Sequence, residues 1–305
     1  MNISKNNDTM HICPNISCPY HGQYIPGPFL FLFLITLISF FPKHYAWAKL
    51  SDTRTNRHII KRAISFPHLS PGSAEEIFFE AGKAYKKGRF RKAIEKYNLL
   101  IKSGYINGHI YYNLGNAWFR LNRIGRAILN YERAKILIPR DPDLKFNLSY
   151  AQKKTIDEIP HNRDILHTIF FWLDSLNLHE VFYTFAIINI LFWGMLVAYL
   201  FFKKDWIYYI LITFLILWLI SGSSCALKWY WIQTDNRAVI LAKEESVLAG
   251  PHEGDTILFK LHEGAIVHYE RSEDGWTLIH ISTQKRGWIK NSDLGRIKDF
   301  LPIHY

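Results

Sequence analysis

Cysteine is scarce in this chain, and none lies where a disulfide framework would need it. The three cysteines are Cys13 and Cys18 near the N-terminus and Cys225 within a long apolar run. Residues 49–180 and 228–305 contain none. The sequence therefore implies neither a disulfide framework nor a cysteine nucleophile in those two parts of the chain.

Charge is absent from two long stretches, residues 181–202 and 206–227. Each is an apolar run of 22 residues without Lys, Arg, Asp, Glu or His, and only Lys203, Lys204 and Asp205 separate the runs. A helix needs about 20 apolar residues to cross the hydrocarbon core of a membrane. We therefore predict two transmembrane helices joined by a tight turn, in preference to a buried hairpin of a soluble protein. The lack of ionisable side chains argues against a proton or ion pathway.

Catalytic motifs are also missing. We find no nucleophile–base set and no phosphate-binding loop, so we expect a protein that is not an enzyme and that has no cofactor or bound metal. One cluster places four soft ligands within eleven residues, as a zinc site would, but its spacing matches no common zinc finger. Its members are His11, Cys13, Cys18 and His21.

Positive charge is concentrated before the apolar runs. The chain carries a net charge of +11, and residues 49–180 hold 23 Lys and Arg against 13 Asp and Glu, whereas residues 228–305 hold 10 against 11. Such an imbalance suits anionic lipid headgroups or an acidic protein surface, or it is a solvated basic face. We do not expect nucleic acid as a partner of an exported domain.

Two features of the sequence predict that the regions on either side of the apolar runs are exported. Lysines in the short turn favour the cytoplasm, which places both flanking regions outside it. Residues 29–41 form a 13-residue apolar run, and Ala46-Trp47-Ala48 fits a small-x-small cleavage pattern. We assign residues 1–48 to a signal peptide and 49–72 to a flexible, basic lead-in.

A 34-residue period follows the lead-in. Pro71-Gly72 marks a break, and Ser73 with Glu76 has the spacing of a capping box. Asp141 and Pro142 have the residue types of an N-cap and a first helical position. The equivalent pairs are Ala81 and Gly115, Ala93 and Ala127, Tyr97 and Tyr131, Leu100 and Ala134, and the turn residues Gly88 and Asn122.

This pattern resembles the tetratricopeptide repeat, a helix–turn–helix unit of about 34 residues. Residues 111–121 (YYNLGNAWFRL) and 125–134 (GRAILNYERA) carry the resemblance. We predict two and a half repeats over residues 73–158, with a capping helix over 142–158. The resemblance implies a concave, partner-binding groove lined by the first helix of each unit; the alternative is that several of its aromatic residues pack internally. The predicted groove residues are Phe79, Tyr112, Asn113, Asn116, Arg120, Phe146, Asn147 and Tyr150.

Residues 163–180 mix apolar and polar side chains directly before the first long apolar run. We predict an amphipathic helix lying in the membrane interface.

The region 236–298 changes to short alternating segments separated by turn residues. We predict strands over 237–241, 256–261, 265–271, 276–281 and 286–290, with Glu273-Asp274-Gly275 as a hairpin turn. These strands suggest a small barrel. Residues 258–264 (LFKLHEG), 274–276 (DGW) and 286–288 (RGW) resemble a bacterial SH3-like domain, in which Trp276 and Trp288 belong to the core or to an edge groove.

The predicted fold class is thus multidomain, with an all-α repeat array, two transmembrane helices and an all-β SH3-like barrel. This order resembles the BatE family of the Bacteroides-aerotolerance operons over residues 74–298. The resemblance implies a scaffold in the inner membrane, with both soluble domains on the periplasmic side. It also implies von Willebrand A-domain membrane proteins and a MoxR-type ATPase as partners. The alternative is a wall anchor whose barrel binds peptidoglycan.

Overall fold

The computed structural model describes residues 70–157, 165–282 and 285–301. The predicted signal peptide, most of the lead-in and the His/Cys cluster lie outside these residues. The described part contains eight α-helices and seven β-strands. The helices are α1 (Pro71–Lys86), α2 (Phe90–Lys102), α3 (Gly108–Arg120), α4 (Ile124–Leu137), α5 (Pro142–Gln152), α6 (Ile165–Ile169), α7 (Leu178–Phe202) and α8 (Asp205–Thr234). The strands are β1 (Arg237–Ile240), β2 (Glu244–Leu248), β3 (Ile257–His262), β4 (Ile266–Glu273), β5 (Trp276–His280), β6 (Arg286–Lys290) and β7 (Leu294–Arg296).

The first five helices form an array whose boundaries repeat at the predicted interval. Helices α1 and α3 end at Lys86 and Arg120, and α2 and α4 begin at Phe90 and Ile124, each pair 34 positions apart. Both turns between paired helices use left-handed backbone, with φ of +71° at Gly88 and +56° at Asn122. Glycine and asparagine adopt this conformation at lower cost than other residues, which explains their place in the sequence.

The start of the array differs from the prediction. Ser70 is the N-cap of α1, its side chain accepts a hydrogen bond from the Ser73 backbone, and Pro71 opens the helix. The predicted N-cap at Ser73 is therefore wrong by three residues, because Pro71 is a good first helical residue rather than a break. At α5 the prediction is confirmed: the Asp141 carboxylate caps the Leu144 N–H at 2.9 Å. Helix α5 ends at Gln152, earlier than predicted.

Small residues set the spacing between paired helices. Ala81, Ala93 and Ala127 are completely buried. Gly115 on α3 faces the ring of Tyr131 on α4, and a Cβ there would come within 2.6 Å of that ring. The glycine therefore allows the two helices of this pair to approach more closely than any side chain would permit.

Helices α7 and α8 are each long and apolar enough to cross a membrane by length and composition. They pack against each other as a hairpin, and only Lys203 and Lys204 separate them. Phe192 stacks on Trp218 with ring centroids 5.7 Å apart. Helix α8 continues to Thr234, seven residues beyond the apolar run.

The segment before the hairpin is not one helix over 163–180. It consists of the short α6, a 3-10 turn over Phe171–Ser175, and the first turn of α7. Asn177 interrupts the helical pattern because it is the N-cap of α7, in a capping box with Glu180.

The seven strands form one antiparallel sheet in the order β3-β2-β6-β5-β4-β1-β7. All five predicted strands are present, whereas β2 and β7 were missed. Strands β3 and β7 are its two edges, so the sheet is open, whereas a small barrel was predicted. The predicted hairpin turn is confirmed, since Glu273 pairs with Trp276 and both Asp274 and Gly275 have positive φ.

Helix α4 joins the array to the sheet. Its apolar side chains share one core with Val239, Ile266 and Ile297 of the sheet region. Arg237 at the start of β1 forms an ion pair with Glu132 at 3.1 Å and with Asp235 at 2.8 Å. The helix and the sheet therefore form one continuous unit instead of two separate modules.

The base of the hairpin rests against this unit. The Asn177 amide donates to the Leu137 carbonyl at 3.5 Å, and Arg140 pairs with Glu180. Lys298 donates to the Gln233 carbonyl at 3.1 Å. The array therefore contacts the start of α7, and the sheet region contacts the end of α8.

Replacing Gly115 with alanine tests the close approach of α3 and α4. Because the new Cβ would overlap the Tyr131 ring, we expect a loss of about 1–3 kcal/mol in unfolding free energy. Gly82→Ala in α1 is the matched control, since no atom lies within 4 Å of its Cβ position. There the helix propensity of alanine should leave stability unchanged or raise it by about 0.5–1 kcal/mol. Denaturant unfolding of the detergent-solubilised chain, followed by circular dichroism, measures both, and equal stability of the two variants would contradict the prediction.

Candidate interaction surfaces

The structure divides the predicted groove residues into two groups. Four of them are buried in the array, and four lie at its surface. The buried group is Tyr112, Asn113, Asn116 and Asn147, and the surface group is Phe79, Arg120, Phe146 and Tyr150, of which Tyr150 is half-buried.

Three members of the buried group, Tyr112, Asn116 and Asn147, join Tyr131 in a hydrogen-bonded network between α3, α4 and α5. The Tyr131 hydroxyl donates to Asn116 Oδ1 at 2.7 Å. The Asn147 amide donates to the same oxygen at 3.0 Å and to the Tyr112 hydroxyl at 2.9 Å. A buried polar network of this kind fixes the relative position of the helices that supply it. These side chains form a buried layer that supports the array, and they do not belong to its contact surface.

Burial keeps the tyrosines of the array neutral. It raises the pKa of Tyr97 well above its ordinary value; Tyr85 adds to the increase, and the neighbouring Asn113 opposes it. Burial also raises the pKa of Tyr111 to about 12, although Arg133 lowers it somewhat. Both hydroxyls therefore remain protonated across the physiological pH range.

Aromatic side chains form a ladder on the outside of α5. Phe146 is 70% exposed and stacks parallel to Tyr150, with ring centroids 6.3 Å apart. Phe119 of α3 lies 5.7 Å from Tyr150 on the other side. The Lys154 ammonium lies 4.9 Å from the Tyr150 ring. A partly exposed aromatic surface that has a lysine at its edge and rests on a buried hydrogen-bonded network is suited to protein contact.

Phe79 lies apart from this ladder on α1, where it is 61% exposed. The Lys83 ammonium lies 4.5 Å from the centre of its ring. Arg120 lies at the end of α3, over the Phe90 ring. The structure thus brings Phe146 and Tyr150 together, whereas Phe79 and Arg120 contact other partners.

Trp276 and Trp288 belong to the sheet's own packing. They are only 9% and 6% exposed and form a small cluster with Leu248 and Leu278. Cationic side chains lie over both rings, Lys290 over Trp276 at 5.7 Å and Arg271 over Trp288 at 5.3 Å. Of the two predicted roles, this placement fits the core role.

Sequence reasoning missed the polar contacts between α4 and the sheet. Glu132 is only 2% exposed, and it faces Arg237. Burial lowers the pKa of Arg237, but Glu132 and Asp235 outweigh burial and leave that pKa raised. Arg133 donates to the Arg296 carbonyl at 2.9 Å and to the Ile297 carbonyl at 3.3 Å. One indication of this contact is present in the sequence: Glu132 follows Ile128 by four positions, so a charged residue lies on an apolar face of α4.

Within the described ranges, no group of three His, Cys, Asp or Glu side chains is placed to hold a metal ion. Comparisons with protein-family models, with curated proteins and with solved structures found no match.

Asn116→Ala tests the buried network. It removes the acceptor that Tyr131 and Asn147 share, and we expect a loss of about 2–4 kcal/mol in unfolding free energy. Tyr131→Phe removes only one of the two donors and should cost about 1 kcal/mol. Thermal unfolding of the purified chain in detergent compares the two variants. A cost for Asn116→Ala no larger than that for Tyr131→Phe would show that the shared acceptor has no special role.

Proposed function

We propose that this chain is a non-enzymatic, membrane-anchored scaffold of the cell envelope. In this proposal the helical array is a tetratricopeptide-repeat domain that binds protein partners, and the sheet is an SH3-like domain. The observation that carries the proposal is the aromatic ladder of exposed Phe146 and half-buried Phe119 and Tyr150, which lies above the buried hydrogen-bonded network. Preorganised aromatic surfaces are typical of protein-binding sites because little entropy is lost when they bind.

The repeat assignment is supported by the helix boundaries and turns. The ends of α1 and α3 and the starts of α2 and α4 recur 34 positions apart, and both intervening turns have left-handed residues at equivalent positions. The buried Ala81, Gly115, Ala93 and Ala127 fall where helices of such a pair approach each other. The SH3-like assignment is supported more weakly, by a sheet of short antiparallel strands around a small core.

The membrane assignment is supported by the exposed apolar surface of α7 and α8. Of the most apolar 18 residues in each helix, 0% are buried in α7 and 11% in α8. The array and the sheet pack on each other through α4, so both lie on the same side of the hairpin. Because lysines in a short turn favour the cytoplasm, we propose that this side lies outside it.

The setting that we propose is a BatE-type complex in the inner membrane. Von Willebrand A-domain membrane proteins would bind the array, and a MoxR-type ATPase would act with them. The hairpin would hold the array at the membrane surface, where the exported part of a membrane protein can reach it.

A wall anchor is the second candidate, in which the SH3-like domain binds peptidoglycan. Burial of Trp276 and Trp288 favours the scaffold, because neither ring offers an open stacking surface. Retention of the full chain on purified sacculi at physiological salt would favour the anchor.

Reporter fusions test the topology. A reporter at Lys204 should behave as cytoplasmic, and reporters at Ser70 and Tyr305 should behave as exported. Activity of paired phosphatase and fluorescent-protein reporters distinguishes the compartments. A cytoplasmic Tyr305 fusion would overturn the proposed orientation.

Substitution of the aromatic ladder tests the scaffold role. Phe146→Ala with Tyr150→Ala should reduce co-purification of partners from native membranes at least tenfold, as expected for aromatic anchors that contribute about 2 kcal/mol or more. Unfolding stability should change little for Phe146, because its side chain is largely exposed. Quantitative mass spectrometry of the tagged chain measures the loss.

Ile257→Ala with Leu258→Ala is the control, since both side chains are exposed apolar residues on the edge strand of the sheet. It should retain the partners of the array. Equal recovery from the wild type and the ladder variant would show that the ladder is not the binding surface.

A further inference from the structure

Basic side chains converge at one edge of the array. This edge is formed by the turn between α1 and α2 and the turn between α3 and α4, and we call it the distal edge. No Asp or Glu occurs in residues 81–94 or 115–131. All of its charged members are exposed. They are Lys86, Lys87, Arg89, Arg91, Lys92, Arg120, Arg123 and Arg126.

The two turns are neighbours in space. The Arg120 guanidinium, at the end of α3, lies 5.7 Å from the ring of Phe90, at the start of α2. The positive charge of the two turns is therefore one continuous patch.

The charge of the distal edge is only partly balanced within the described chain, since Glu80, the ion-pair partner of Lys96, also interacts electrostatically with Lys92. None of its eight Lys and Arg side chains forms an ion pair with a described residue, whereas Lys96 and Arg140 elsewhere in the array do. The nearby Glu263 accepts a hydrogen bond from the Gly125 N–H at 3.0 Å. Like charges crowded without counter-charges destabilise a fold, so an anionic partner would relieve this repulsion.

The contacts along α4 locate the distal edge relative to the hairpin. Gly125 at the start of α4 meets Glu263, Glu132 in the middle meets Arg237, and Leu137 at the end meets Asn177 at the hairpin base. Helix α4 has 14 residues, a length of about 20 Å at about 1.5 Å per residue. The distal edge thus lies at the opposite end of α4 from the hairpin. Exposed charges are screened beyond about 8 Å at physiological salt, which disfavours the lipid headgroups directly at the hairpin base as the partner.

Two arginines of the distal edge lie over aromatic rings, which favours their contact with carboxylates. Arg126 lies over the Trp118 ring at 4.7 Å, and Arg120 lies over Phe90. Stacking on a ring restricts the guanidinium while its N–H groups remain available. A guanidinium held in this way suits bidentate contact with a carboxylate.

We propose that the distal edge is a second docking surface and that it binds an acidic polypeptide segment through the carboxylates of its Asp and Glu side chains. The choice of a polypeptide over nucleic acid rests on the exported placement in the proposed function. This surface is separate from the aromatic ladder, so one chain can hold two partners at once.

Fluorescence anisotropy tests the proposal with the full chain in neutral nanodiscs. The probe is a fluorescein-labelled peptide of alternating glutamate and alanine, used at about 0.15 M salt, where distant charges are screened. The edge variant combines Lys87→Gln, Arg89→Gln, Arg91→Gln and Arg123→Gln. We expect it to bind the peptide about tenfold more weakly than the wild type.

The control variant removes the same charge from other exposed lysines, through Lys102→Gln, Lys135→Gln, Lys145→Gln and Lys153→Gln. It should bind within about twofold of the wild type, because those side chains lie outside the edge. Equal weakening in both variants would mean that only net charge matters and would overturn the site, as would the absence of peptide binding to the wild type. Thermal unfolding confirms that both variants are folded.

Two further probes of matched charge decide the partner class. Tighter binding of a single-stranded oligonucleotide, or of phosphatidylglycerol vesicles, than of the peptide would overturn the polypeptide assignment. The reporter fusions test the compartment separately, so failure of the docking proposal and failure of the exported placement give different results.

Discussion

The packing of α4 against both the array and the sheet is the constraint on which the rest of the structure depends. One face of α4 packs in the array through Ala127 and Tyr131, and the helix also joins the core that contains Val239 and Ile297. Glu132 and Arg237 are the charged pair in this joint. A buried ion pair adds little net stability, but loss of one partner is costly because the other charge stays buried. The pair therefore fixes how the sheet meets the array more than it strengthens the joint.

Local signals predicted the elements well. The 34-residue period, Asp141-Pro142 at a helix start and Asp274-Gly275 at a hairpin turn all rest on backbone rules that act within a few residues. The two apolar helices were predicted because their length and composition need no tertiary information. Short β2 and β7 were missed because each has few alternating positions. Asn177 interrupts the segment before the hairpin because its side chain caps α7, a competing local rule.

Long-range contacts limited what the sequence could say about surfaces. Asn116 and Asn147 are polar, and repeat register placed them in a groove, but the hydrogen bonds with Tyr112 and Tyr131 allow them to be buried. Phe146 is apolar, yet it is largely exposed. The tyrosine partners of both asparagines come from another helix. The distal edge likewise depends on two turns separated by 34 residues, and the charge count alone did not locate it.

The extension of α8 beyond the apolar run, together with its short link to β1, has a mechanical consequence. It runs seven residues past the apolar stretch, and only Asp235 and Asn236 separate it from β1. The Arg237 side chain binds Asp235, and Lys298 binds the Gln233 carbonyl, so this junction is held on two sides. Once the hairpin lies in a bilayer, a change in hydrocarbon thickness is accommodated by helix tilt. A stiff junction would pass that tilt to the sheet and through α4 to the array, so bilayer thickness would set the angle at which the two proposed docking surfaces face outward.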